Sequence, residues 1–210
     1  MTCPHRTAFL SVAGSASPTI GVLALQGDFR EHMAVVRSLG FDAIAVRRPE
    51  ELARVAGLII PGGESSVIDK LSRMFGLAGP LRAAVASGIP VYGTCAGLIM
   101  LADTLLDSID GQQTLGGFDI VVRRNAFGSQ LDSFETDITV PILGDPPVHA
   151  VFIRAPVVES VGERATVLAT LHDGRVVAVE QGNLLGTSFH PEMTGDTRFH
   201  EYFLTKVSAA

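Results

Sequence analysis

The stretch Ile89-Pro90-Val91-Tyr92-Gly93-Thr94-Cys95-Ala96-Gly97 decides how this chain is read. Its first four residues are apolar and short enough for a strand buried on both faces. The chain then meets two glycines bracketing a cysteine, and residues 98–105 continue as a helix-like run. Glycines at 93 and 97 permit a tight turn and close approach of neighbouring backbone. A cysteine on such a strand–turn–helix corner sits at the carboxyl end of a sheet and faces a crevice. This is the geometry of a nucleophile elbow, with sulfur in place of a hydroxyl. The amides opening the next helix favour the thiolate, which is the reactive form. A bare Gly-x-Cys-x-Gly also suits a small cysteine packed under a sheet. The choice therefore turns on what the other strand ends carry.

Working outward, residues 20–25 are an apolar run ending in Gln26-Gly27, and Asp28 is placed to cap a helix through residue 39, closed by Gly40. Residues 42–46 read as a second strand, Pro49 opens a short helix over 50–55, and 57–60 form a third strand stopped by Pro61-Gly62-Gly63. Helices near 66–75 and 80–87 precede the elbow. Strands alternating with helices predict right-handed crossovers and a mostly parallel sheet covered on both faces. The second half is richer in strands, at 118–123, 134–140, 148–153, 166–171, 176–180 and 184–188, and a helix over 197–207 closes the chain. No repeat or linker divides it. One α/β domain with an antiparallel addition, over residues 19–210, is the expected architecture.

Composition narrows the class. Of 210 residues, 47% are hydrophobic and 18% charged, which supports a large buried core. A net charge of -6 disfavours a general nucleic-acid or anionic-membrane binder. The two cysteines, Cys3 and Cys95, can build neither a disulfide framework nor a four-thiolate zinc site, so a reducing, cytoplasmic compartment is expected. No apolar run approaches the ~20 residues that span a bilayer. Arg6, the apolar residues 8–13 and Ser15-Ala16-Ser17 faintly imitate a secretory signal, but Ser11 breaks the short apolar part. Residues 1–18 are expected to be a disordered extension.

Two more strand ends carry chemistry. Phe189-His190-Pro191-Glu192 follows the last strand. Strand ends of such a sheet gather at one edge, so His190 can take the proton of Cys95 and return it to a leaving group. Glu192 can hold the imidazole in one tautomer, the third role of a triad. His5, His149, His172 and His200 have no comparable context, and His32 reads as a helix-face residue near the pocket. Pro61-Gly62-Gly63-Glu64-Ser65 also follows a buried strand. Its uncovered amides, at Gly63 above all, can serve a developing oxyanion together with the Ala96 amide, and one such donor is worth about 3 kcal/mol of barrier. No nucleotide-binding glycine motif or metal-ligand spacing occurs, so no cofactor and no metal is called for.

These three motifs resemble those of the class I, triad-type glutamine amidotransferases. Further segments resemble, more narrowly, the glutaminase subunit of pyridoxal 5'-phosphate synthase. They are residues 21–28, Arg30-Glu31-His32, residues 122–130, Asp132-Ser133-Phe134-Glu135 and Phe152-Ile153-Arg154-Ala155-Pro156. The likeness spans about residues 20–207. It implies a three-layer, flavodoxin-like α/β sandwich that hydrolyses L-glutamine to glutamate and ammonia. It also implies a partner, a (β/α)8 synthase subunit in a large hetero-oligomer, which joins the ammonia with ribose 5-phosphate and glyceraldehyde 3-phosphate. In the family pattern Gly62, Gly63, Glu64, Arg124, Ile153 and Arg154 contact glutamine. Arginine forks suit the α-carboxylate and Glu64 suits the α-ammonium, although Arg123 and Arg124 are adjacent and leave the register open. Two other readings compete. One is a glutaminase subunit serving histidine or purine synthesis; the other is a non-catalytic, flavodoxin-like protein with a reactive cysteine. Release of glutamate from glutamine separates them.

Overall fold

The computed structural model describes residues 17–124 and 133–210. The expected extension at 1–18 therefore lies outside the described residues except at its last two positions, and so does the motif that follows Arg124. In chain order the first half runs β1 (Ile20–Leu23), α1 (Phe29–Ser38), β2 (Ala43–Val46), α2 (Pro49–Leu52), β3 (Gly57–Ile60), α3 (Ser65–Met74), α4 (Ala78–Ala86), β4 (Val91–Thr94) and α5 (Ala96–Leu101). There follow β5 (Ala102–Leu106), β6 (Phe118–Arg123), β7 (Ser133–Ile138), β8 (Val148–Ile153), β9 (Val157–Val161), β10 (Thr166–Thr170), β11 (Val176–Gln181), β12 (Leu184–Thr187) and α6 (Arg198–Ala209).

The main sheet has the order β2-β1-β3-β4-β12-β11-β9-β6-β5, with β10 on β11. Strands β2, β1, β3, β4 and β12 are mutually parallel, and antiparallel pairing begins at β11. Every residue of β1, β3, β4 and β12 is buried, as expected for strands covered on both sides. Their period-2 alternation sends Ile20, Val22, Ile59, Tyr92 and Leu185 to one face, where Val36 of α1 and Phe199, Phe203, Leu204 and Val207 of α6 cover them. Leu23, Leu58, Ile60, Val91 and Leu184 go to the other, against Leu52, Ile68, Leu81, Val85 and Leu98 of α2 to α5. Helices on both faces make this the expected three-layer sandwich.

The β7–β8 ribbon is a separate antiparallel pair that packs on the α6 side. A run of rings fastens it: Phe134 stacks on Phe152 at 4.6 Å, Phe152 meets Phe189 at 5.6 Å, and Phe189 meets Phe199 at 5.3 Å. The His190 amide also donates to the Val151 carbonyl at 2.9 Å. The end of β8 is thereby held over the end of β12.

Three local expectations are corrected. The helix read over 98–105 stops at Leu101, and Ala102, at φ -62° and ψ 139°, turns the chain into β5 beside β6. The stop is tertiary, since no glycine or proline marks it. Strand β9 was not expected at all; it joins the two halves by pairing with β6 and β11. Finally, Asp28 precedes α1 without a side-chain capping bond. Its carboxylate faces His190 instead, at 3.6 Å.

Candidate active site

Strands β1, β3, β4 and β12 are neighbours in the sheet and parallel, so their carboxyl ends share one edge. The segments that leave those ends carry Gln26 and Asp28, the 61–64 loop, Cys95, and His190 with Glu192. The topology alone brings together residues almost a hundred positions apart in sequence.

Cys95 occupies the corner with φ 48° and ψ -102°, a left-handed conformation that is costly for a residue bearing a side chain. The Cys95 amide donates to the Thr187 carbonyl at 2.8 Å and the Ile99 amide closes on the Cys95 carbonyl at 3.2 Å, so the strained corner is held from both sides. Gly97 is needed two residues on, because a Cβ there would overlap the Ile60 carbonyl oxygen of β3. Only glycine lets α5 start this close to the sheet. The thiol is nearly buried, with Sγ 4.0 Å from the Ile153 carbonyl oxygen.

His190 stands between two acidic groups. Its Nδ1 lies 2.8 Å from Glu192 Oε1, and Cys95 is its partner on the thiol side. Burial opposes a charge on the ring. The hydrogen bonds and charges of Cys95 and Glu192 outweigh burial and hold the His190 pKa up to about 10. His190 is thus set up to carry its charge between Cys95 and Glu192. Asp28, His190 and Glu192 also converge closely enough for a cation.

The 61–64 loop lies against the triad. A Cβ on Gly62 would overlap the His190 ring, and Gly63, at φ 140°, packs on the Gln26 side chain. The Glu64 amide donates to Gln26 Oε1 at 2.7 Å. Glu64 caps α3, its side chain accepting from Ser66. Its carboxylate meets Arg124 at 2.6 Å, while Arg124 also donates to Gln112 Oε1 at 2.7 Å. Arg123 points elsewhere, to Asp107 and Glu159. Of the adjacent arginines, Arg124 is the one beside Glu64. Ile153 and Arg154 are exposed at the end of β8, and Arg154 has φ 46°.

Sequence reasoning placed His32 on a helix face near the pocket, as found, but missed that His32 and His200 are buried together behind Glu192. Behind Glu192, the fully buried His32 places Nε2 at 3.4 Å from Glu192 Oε2 and 3.1 Å from Thr94 Oγ1, and Nδ1 at 2.9 Å from His200 Nε2. His200, set aside as lacking context, is fully buried too. Helical spacing could have flagged both. His32 is four residues before the buried Val36, and His200 shares a face with Phe203, Leu204 and Val207.

Comparison with known proteins follows the same line. Residues 22–209 match the model of the SNO glutamine amidotransferase family. The chain is 72% identical over 193 residues to pyridoxal 5'-phosphate synthase subunit PdxT of Leifsonia xyli subsp. xyli, covering 92% of this chain and 98% of that protein. It is 66% identical to the protein of the same name from Clavibacter michiganensis subsp. michiganensis, covering 92% of each chain. A crystal structure of a glutamine amidotransferase is similar at 47% identity and TM-score 0.84, over 90% of this chain and 98% of that one. A glutamine amidotransferase from Thermotoga maritima shares the fold at 14% identity and TM-score 0.59, over 93% of this chain and 86% of that one.

Proposed function

This chain belongs to the SNO glutamine amidotransferase family, and from that premise we propose that it is the glutaminase subunit of a pyridoxal 5'-phosphate synthase, acting through Cys95, His190 and Glu192. The observation that carries the reading is the strained Cys95 corner with His190 bonded between it and Glu192. The Cys95 thiolate attacks the γ-carboxamide carbon of L-glutamine. The oxygen gains negative charge and is met by the Gly63 and Ala96 amides. The His190 imidazolium gives its proton to the departing nitrogen, so ammonia leaves and a γ-glutamyl thioester remains. His190 then takes a proton from water, hydroxide attacks the thioester carbon, the C–S bond breaks, and glutamate leaves with the thiolate and the imidazolium restored.

Gly62, Gly63, Glu64, Arg124, Ile153 and Arg154 bind glutamine in this reading. The Glu64–Arg124 pair suits an amino-acid head group, because an α-ammonium and an α-carboxylate can replace each partner's charge with its own. The ammonia is delivered to a (β/α)8 synthase subunit in a hetero-oligomer, in the cytoplasm. Among the described residues no helix is long and apolar enough to cross a membrane.

The test is glutamate release from glutamine by the full chain, with and without the synthase subunit. Release that depends on Cys95, falling about 10⁴-fold or more in Cys95→Ala, is expected. Docking of the synthase is expected to raise kcat more than it lowers KM, because the loop at Gly62 and Gly63 acts in the transition state. Undiminished hydrolysis by Cys95→Ala, or none with a competent synthase, rejects the proposal.

A further inference from the structure

Glu192 has two oxygens and the triad uses one. Oε1 faces His190, while Oε2 is buried and, among the described residues, has no well-aligned hydrogen bond. A buried carboxylate oxygen without a donor is costly, and the cost would be relieved by protonating the acid or by moving it. Either change would disable the orienting of His190. The group that faces Oε2 is His32 Nε2 at 3.4 Å, on α1.

The bonds behind His32 determine where its proton sits. His32 Nδ1 and His200 Nε2 are 2.9 Å apart, so one donates and the other accepts. Suppose His32 carried its proton on Nδ1. Its Nε2 lone pair would then face the Glu192 carboxylate, and His200 would need its own proton on Nδ1, a buried atom with no partner among the described residues. The opposite assignment avoids both faults. His200 Nε2–H donates to His32 Nδ1, and His32 Nε2–H is shared between Thr94 Oγ1 and Glu192 Oε2. His200 Nδ1 is then a bare acceptor, the cheaper atom to leave unpaired. All donors point one way along the chain His200, His32, Glu192.

We propose that His32 and His200 are positioning residues, a fixed-tautomer relay that turns an N–H toward Glu192 Oε2 and so keeps the triad carboxylate aimed at His190. This deepens the glutaminase reading and rests on it. The rings must stay neutral, since an imidazolium behind Glu192 would draw the carboxylate away from His190. Their surroundings keep them so. Burial, then His200 and His190, hold the His32 pKa well below its ordinary value, and burial holds that of His200 down to about 4. Tyr92 walls both rings edge-on, at 6.4 Å from His32 and 5.7 Å from His200. The ionisable groups facing the relay are Glu192, His190 and Tyr92, with Asp28 and Cys95 beyond His190. The relay also touches the residue before the nucleophile, through Thr94.

The test uses the full chain and the amide mimics of the two ring nitrogens. His32→Gln can set an N–H near the Nε2 position, whereas His32→Asn reaches only the Nδ1 position. Two readouts are taken. One is kcat and KM for glutamine hydrolysis with the synthase subunit present. The other is the pH profile of Cys95 alkylation by iodoacetamide, followed on the Cys95 peptide. His32→Asn should lower kcat about tenfold or more with little change in KM, since the N–H that faces the charged Oε2 is lost. It should also move the acid limb of alkylation to higher pH, because a carboxylate that swings off Nδ1 no longer gives His190 the hydrogen bond that raises its pKa. His32→Gln should recover most of both effects, and His200→Leu should fall between. A merely structural histidine would reduce the fraction of alkylatable enzyme without moving the limb, and that result overturns the relay. So does a folded His32→Asn with wild-type kcat and limb, or a His32→Gln no better than His32→Asn. If wild-type chain alkylates normally yet releases no glutamate, the glutaminase reading fails separately, and the alkylation series still judges the relay.

Discussion

At the floor of the site, His190 and Glu192 have side chains 4% and 0% exposed and face each other at 2.8 Å. At the rim, Arg124 and Glu64 are 9% and 51% exposed and pair at 2.6 Å. Both are short charged contacts, yet they are not equivalent. The floor is sealed among buried strands, so its charges interact in a low-dielectric setting and no substrate is needed to align them. The rim is open to water on one side, and its pair is one that a zwitterionic substrate can divide. Floor groups should therefore act on kcat, and rim groups on KM.

The largest expected effect breaks the floor. His190→Asn removes the group proposed to move the proton and should nearly abolish turnover. Glu192→Gln keeps the shape but reverses the tautomer preference, and should be roughly a hundredfold milder than His190→Asn. Steady-state hydrolysis by folded variants measures the order. A Glu192→Gln at least as inactive as His190→Asn would mean that Glu192 does more than orient.

The floor and the rim also differ in how far the sequence exposes them. Cys95, His190 and the 61–64 loop were legible because each follows a short apolar run and carries its own turn chemistry, and a parallel sheet must gather such turns at one edge. The Glu64–Arg124 pairing was open in sequence, since Arg123 and Arg124 are adjacent and only the pairing of β6 with β5 and β9 turns one outward. The boundary at Leu101 was hidden because residues 98–102 are apolar without a break, and a helix and a buried strand look alike there. His200 was hidden for a different reason. Its partner His32 is 168 positions away, and no local pattern joins them.

The buried histidines give the next effect, on stability. His200 has its pKa lowered to about 4, from an ordinary 6.5, by burial. The unfolded chain takes up this proton first as pH falls, so stability is complete above about 6.5 and drains away down to about 4, by on the order of 3 kcal/mol. His32 is shifted in the same direction. Melting temperature should therefore fall between pH 6.5 and 4.5, and His200→Gln should flatten that fall. An unchanged slope in the variant would place the acid sensitivity elsewhere in the fold.

At the rim, Arg124→Gln removes a charged partner of Glu64 and of the substrate head group. KM for glutamine should rise about 10- to 100-fold, the worth of one charge-assisted hydrogen bond, with kcat changed far less. Initial-rate measurements separate the two. A loss carried mainly by kcat would show that the rim also aligns the reacting bond, and the division drawn above would fail.

The smallest effect gives the sharpest comparison, because floor and rim meet at a single atom. His190 Nδ1 has two carboxylates near it, Glu192 at 2.8 Å and Asp28 at 3.6 Å. The Asp28 side chain is 41% exposed. Both favour the imidazolium in sign. Distance and solvent decide their weights. A half-exposed pair at that separation contributes about 0–1 kcal/mol, so Asp28→Asn should lower kcat by no more than about fivefold. Salt provides the second axis. At roughly 0.5 M salt the screening length is shorter than the site, and an exposed charge loses most of its influence. The gap between wild type and Asp28→Asn should close as salt is added, while the gap between wild type and Glu192→Gln should persist. If salt left the Asp28 effect intact, or if Asp28→Asn cost as much as Glu192→Gln, burial would not be what ranks these carboxylates, and Asp28 would belong with the floor.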